Sequence, residues 1–111
     1  MAVHRWNTTL DGPLSEAALR AKLEALGYHI ARYVYPPGTV FPDHKHGVDK
    51  IDAVVSGTFR LVIGGHLALL GPGDWADVPR GTVHNAVVHG DQPVVSFDAI
   101  KIDPRQSEAA R

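Results

Sequence analysis

Gly38-Thr-Val-Phe-Pro-Asp-His44-Lys-His46-Gly-Val-Asp-Lys50-Ile-Asp52-Ala-Val-Val-Ser-Gly57 is the stretch on which the reading of this chain turns. Its first half is β-rich, and side chains two apart on a strand leave it on the same face, so His44 and His46 can meet one ion. Their Cα atoms would lie roughly 6.5 Å apart, which suits neighbouring positions of one coordination sphere. A His-x-His pair is by itself more often a polar strand face than a ligand pair. A third ligand would have to come from another strand.

Downstream, Gly73-Asp-Trp-Ala-Asp-Val-Pro79-Arg-Gly81-Thr-Val-His84 ends a tight turn on a histidine at the start of an apolar run. His44, His46 and His84 are therefore the candidate ligand set. The chain has no cysteine, so a metal must be held by imidazole, carboxylate, backbone or water. Neutral imidazoles suit Zn, Fe, Cu, Ni or Mn, with softness favouring the first four. Pro79 pre-sets the corner before the third histidine, and Gly57, Gly73 and Gly81 read as turn formers with no catalytic role.

Outward from these segments, short β-rich runs alternate with Gly, Pro and Asp punctuation from Tyr28 to the end of the apolar sequence. Strands are expected near 28–35, 39–46, 51–55, 58–63, 66–70, 75–78, 83–88 and 94–101, with Gly64-Gly65 as a hairpin turn. That spacing predicts an all-β sandwich or barrel. Ser15 to Leu26 reads as the one substantial helix, because Leu19, Leu23 and Leu26 recur at helical spacing; Pro13 or Ser15 can start it and Gly27 can end it. Its narrow stripe predicts a helix lying on the outside of the sheets.

The two quoted segments resemble the paired motifs of the cupin superfamily, G-x5-H-x-H-x3-E-x6-G and G-x5-P-x-G-x2-H. Eight spaced positions match between residues 38 and 88; Lys50 stands where the first motif has glutamate, and Val88 where the second closes on asparagine. The resemblance implies a jelly-roll-like cupin β-barrel of two antiparallel sheets, with one N-terminal helix in this chain and the motif histidines turned inward. In most relatives it also implies a mononuclear metal, for which the glutamate is usually the fourth ligand.

Lys50 cannot ligate, and its ammonium would repel a nearby dication. Three readings follow. The site is a neutral three-histidine site like those of thiol and diketone dioxygenases, with Lys50 paired to Asp52 or Asp98; or Asp52 or Asp49 replaces the glutamate; or the metal is lost or weakly held and the pocket simply binds an organic molecule. The first leaves a higher centre charge that favours anionic ligands, with open positions for water, O2 or substrate. The expected function is a metal-dependent enzyme on a small anionic molecule, dioxygenase-type ahead of isomerase or lyase, with Lys50 and Asp52 positioning substrate or moving protons. The alternative is a non-catalytic binding or sensing domain.

Length and composition agree with one globular domain: 111 residues, 44% apolar and 21% charged. Its expected parts are an arm and helix over 1–27, the barrel over 28–102 and a polar tail over 103–111. A net charge of −1 without basic runs argues against nucleic acid, and the absence of a long apolar segment against membrane insertion, so cytoplasmic residence is the expectation. Of the seven histidines, His4, His66 and His89 read as surface residues, and His29 as a strand residue that could face the barrel. Open sheet edges, with Trp6, Leu10 and the helix stripe seeking cover, predict a homodimer.

Overall fold

Ser15 accepts the Ala18 N–H at 3.0 Å and so caps the expected helix, α2 (Glu16–Ala25), in a computed structural model that describes residues 2–102. The tail expected over 103–111 lies outside the described residues. Leu19 and Leu23 of α2 are fully buried against Ile30, Ile51, Ala53, Trp75, Phe97 and Ala99. Two of the three stripe residues are thus covered within the chain, while Leu26 stays 46% exposed. Trp6 packs on the same cluster, and its indole N–H donates to the Gly12 carbonyl at 2.9 Å. Of the grounds for self-association, Trp6 therefore falls and the helix stripe falls in part; Leu10, 80% exposed, remains with Leu26 and the sheet edges.

Two short elements precede α2 where the sequence carries little periodicity. Strand β1 (Val3–His4) adds to a sheet edge, and helix α1 (Thr8–Asp11) is capped by Asn7, whose side-chain oxygen accepts the N–H groups of Thr9 and Leu10. The eight expected strands follow as β2 (Tyr28–Tyr35), β3 (Val40–His44), β4 (Lys50–Ser56), β5 (Thr58–Ile63), β6 (His66–Leu70), β7 (Trp75–Val78), β8 (His84–His89) and β9 (Val94–Lys101). Every pairing is antiparallel. They form a five-stranded sheet in the order β1-β7-β4-β9-β2 and a four-stranded sheet in the order β3-β8-β5-β6. Among the described residues no helix is long and apolar enough to cross a membrane.

Strand alternation sorts the five-stranded sheet into two faces. Ile51 and Ala53 of β4 and Phe97 and Ala99 of β9 point out toward α2. Val54 and Val94 point inward, where Phe59, Leu61, Ile63, Leu70, Ala86 and Val88 of the other sheet meet them. That inward face also carries Lys50, Asp52 and Asp98, three charged residues at one end of a largely apolar layer. A row of charges inside a core is costly unless it serves a site.

The turns hold this geometry. Gly64 and Gly65 both have positive φ, as the β5–β6 hairpin requires. Gly57, between β4 and β5, has φ +83°, and a Cβ there would lie 2.3 Å from the Pro93 carbonyl oxygen. Only glycine lets the β4–β5 corner approach the start of β9 so closely.

Candidate metal centre

The pairing of β3 with β8 sets His44 directly opposite His84, and an irregularity in register between Phe41 and His44 re-aims the end of β3. The strand was expected to run to residue 46 but ends at His44, and His46 sits just beyond it. There the Gly81 N–H donates to the His46 carbonyl at 2.8 Å, tying this loop to the Pro79–Gly81 turn. The two histidine-bearing segments thus hold one another. Ring centroids lie 4.1 Å apart for His44 and His84, 4.8 Å for His44 and His46, and 5.1 Å for His46 and His84. One ring nitrogen from each falls within 4.8 Å of the others, and among the described residues no carboxylate oxygen joins the group.

Tautomer follows from the partners. His44 Nδ1 lies 2.7 Å from the Pro42 carbonyl oxygen and His84 Nδ1 2.9 Å from that of Thr82. A carbonyl only accepts, so Nδ1 must carry the proton in both rings and Nε2 presents its lone pair, the arrangement that metal-binding histidines use. Burial lowers the pKa of both His46 and His84. Lys50, His44 and His84 lower that of His46 further, and Asp98 opposes them. For His84 the hydrogen bond to Thr82 works against burial, while His44 and Lys50 add to the lowering and Asp98 again opposes it. Neutral imidazoles are the ligating form, so the donor set fits a divalent transition ion.

Across the cavity from the histidines stands the inner face of the five-stranded sheet. Lys50 Nζ is 2.7 Å from one oxygen of Asp98 and 2.9 Å from the other, so of its two expected partners the ammonium takes Asp98. Asp52 lies opposite Asp98 in the β4–β9 register and lines the same cavity. Burial, then the charge of Asp98, pushes its carboxyl up to about 6, with Lys50 and His44 opposing. Asp49 is turned elsewhere: its carboxylate accepts the Arg80 N–H at 2.9 Å, and its reading as a replacement ligand does not hold. Asp52 faces the site without joining the ligand group.

Tyr35, Phe41 and Phe59 complete the wall as an aromatic cluster, with Tyr35 edge-on to Phe41 at 4.8 Å. Burial, then Asp98 and Asp52, pushes the Tyr35 phenol up to about 12, so its proton stays on. Sequence reasoning missed Tyr35. Its only signal was alternation along β2, where the outward Ile30 sets 31, 33 and 35 on the opposite face. His4, His66 and His89 are exposed as expected, although His4 is 3.0 Å from Asp77 and stacks on Trp75. His29 is exposed too and does not enter the cavity.

The Cupin_2 family model, described as a cupin domain, matches residues 31–100. Among solved structures the chain is similar to KdgF from Halomonas sp., at 26% identity over 72% of this chain and 74% of that one, with a TM-score of 0.60. It is similar to the DMSP lyase DddQ from Ruegeria pomeroyi DSS-3, at 25% identity over 70% of this chain and 40% of that one, with a TM-score of 0.62. A third is Bacillus subtilis oxalate decarboxylase, a protein with Mn(II) centres, at 25% identity over 69% of this chain and 22% of that one, with a TM-score of 0.59. No curated protein matches the chain.

Proposed function

The chain belongs to the cupin family, as the match over residues 31–100 shows, and on that premise we propose that its cavity is a metal-dependent active site for a small anionic organic molecule. One observation carries the reading: three imidazoles from two strands and a loop converge within 4.8 Å, with two of them oriented by backbone carbonyls. His44, His46 and His84 would hold the ion. Fe, Zn, Ni, Cu or Mn bound there would supply Lewis acidity and open coordination positions.

The electrostatics around the histidines favour an anion. Lys50 and Asp98 neutralise one another, so Asp52 is the one uncompensated charge on the facing wall. A divalent ion would leave the cavity net positive by a single charge. Lys50, held by two contacts to Asp98, positions that carboxylate and lends its field to the histidines; Asp52 is the group available to take or give a proton near neutral pH.

For the reaction class we put O2-dependent oxygenation first, by the likeness of an all-histidine site to dioxygenases. Isomerase or lyase chemistry is the second reading. A specific observation favours it, since the two similar structures whose names state an activity are a lyase and a decarboxylase. The chain spans less than half of either, so their activities bear on this one only as a proposal.

Oxygen-electrode assays of Fe(II)-loaded protein with small thiols, diketones and phenolic acids test the first reading. Uptake of O2 that disappears in His84→Ala is the expected result. Substrate loss that continues without O2 would replace oxygenation by the second reading, and saturable binding without turnover would overturn the enzymatic reading altogether.

A further inference from the structure

Asp52 lines the cavity, yet its carboxylate accepts no hydrogen bond from the described residues. The neighbouring Lys50 gives its contacts to Asp98, and Ser96, the next inward residue of β9, donates to the Ala53 carbonyl at 3.0 Å. Among the described residues no fully enclosed side-chain nitrogen or oxygen lacks a partner. The oxygens of Asp52 must therefore open onto the cavity. A carboxylate sunk in a wall without a donor is unfavourable to folding, and it makes sense where a ligand brings the donor.

Tyr35 supplies the complementary half. Its ring is fixed by Tyr33, Phe41 and Phe59, and its hydroxyl, like Asp52, makes no hydrogen bond to the described residues while lining the same cavity. An ionised Asp52 offers only acceptors, and a protonated tyrosine offers a donor as well as an acceptor. A ligand group that uses both the carboxylate and the phenolic proton must donate and accept at once. A hydroxyl does this; an ammonium leaves the phenolic proton unused and would be repelled by Lys50 and a bound dication, and a second carboxylate cannot donate and would be repelled by Asp52.

We propose that the cavity selects a small hydroxycarboxylate, its carboxylate toward His44, His46 and His84 and its hydroxyl between Asp52 and Tyr35. This rests on the metal-site reading above and narrows the ligand within it. The cavity is small, about 50 Å³, so only a few carbons of the molecule fit inside it. Beyond the mutually paired Lys50 and Asp98, the aromatic rings and Val78 leave the remaining wall without charge.

The test uses Zn(II)-loaded protein at pH 7.5, with zinc content measured for every preparation. Calorimetric titration compares glycolate with acetate, 3-hydroxypropionate with propionate, and 4-hydroxybutyrate with butyrate. In at least one pair the hydroxy acid should bind tighter by about tenfold or more, as a hydrogen bond to a charged group supplies. Asp52→Val should bring the two members within about twofold, and the near-isosteric Asp52→Asn, which keeps an acceptor without the charge, should fall between. Tyr35→Phe should weaken the hydroxy acid alone. Zinc bound in wild type with no pair discriminated, or discrimination unchanged in both Asp52 variants, overturns the hydroxyl inference and leaves the metal site standing. Wild type that binds no zinc overturns both.

Discussion

Position 50 puts an ammonium where related motifs have a carboxylate, and the residues around it adjust. Asp98 closes on Lys50 with both oxygens, and the pair is largely withdrawn from solvent. Removing one partner of such a pair strands the other's charge beside Asp52. Lys50→Met should cost roughly 1–3 kcal/mol, between the values for exposed and buried pairs, and Lys50→Met/Asp98→Asn should recover much of that loss. Urea denaturation of the single and double variants reads the difference. An additive double variant would show that the two side chains do not act together.

Asp52 carries the pH dependence at this scale. Its carboxyl ionises near the ordinary value of 3.8 when the chain is unfolded and at about 6 when folded. The native state therefore holds the proton more tightly. The resulting destabilisation is absent below about pH 4, grows as pH rises, and is complete above about pH 6. Asp52→Asn should accordingly stabilise the metal-free protein by up to about 2–3 kcal/mol at pH 7.5 and by little at pH 4. Thermal unfolding of both proteins across that range checks it; a difference that grows toward acid would reverse the sign.

Among the elements, the β4–β5 corner is the most constrained by its surroundings. Gly57→Ala combines a left-handed backbone with a Cβ driven into the Pro93 carbonyl, so the start of β9 must shift. A loss of several kcal/mol is expected, as large backbone effects give. Gly38 has a similar φ of +82° but open space around it, so Gly38→Ala should cost only about 1–2 kcal/mol. Equal losses in chemical denaturation would mean that the crowding at Gly57 is relieved without cost.

Gly57 was legible as a turn former, but nothing local distinguishes it from Gly38, because the crowding atom lies 36 positions further along the chain. The same limit governs the site. His44, His46 and His84 could be read from the residue spacing of two short segments, although His46 lies beyond the strand whose period suggested it and is held there by Gly81. Asp98 and Tyr35 reach the cavity only through the pairing of β9 with β4 and with β2. The extent of β3 was misjudged for a related reason: the bend after His44 is set by the Gly81 hydrogen bond from another segment. Strand β1 and helix α1 were too short to leave a periodic trace.

At the scale of the whole molecule the two sheets are unequally covered. Helix α2 shields the outer face of the five-stranded sheet, whereas Val40, Leu67 and Leu69 stand exposed on the other, with Arg60 and Val87 between them in register. We propose that a second copy of the chain covers this face. Light scattering at micromolar concentration should give about twice the 12.0 kDa chain mass, and Leu67→Glu/Leu69→Glu should return it to the monomer. A wild-type mass of 12.0 kDa would refute the association.

The account as a whole stands on the three histidines acting as one ligand set, and metal content measures that directly. Elemental analysis should be carried out on wild type, His44→Ala/His46→Ala, His84→Ala and the exposed-histidine controls His66→Ala and His89→Ala, all purified without added metal or chelator. The expected result is about one equivalent of a transition metal in wild type and both controls, and near-complete loss in the double variant and in His84→Ala alike. The same trace metals at the same level in all five preparations would contradict it.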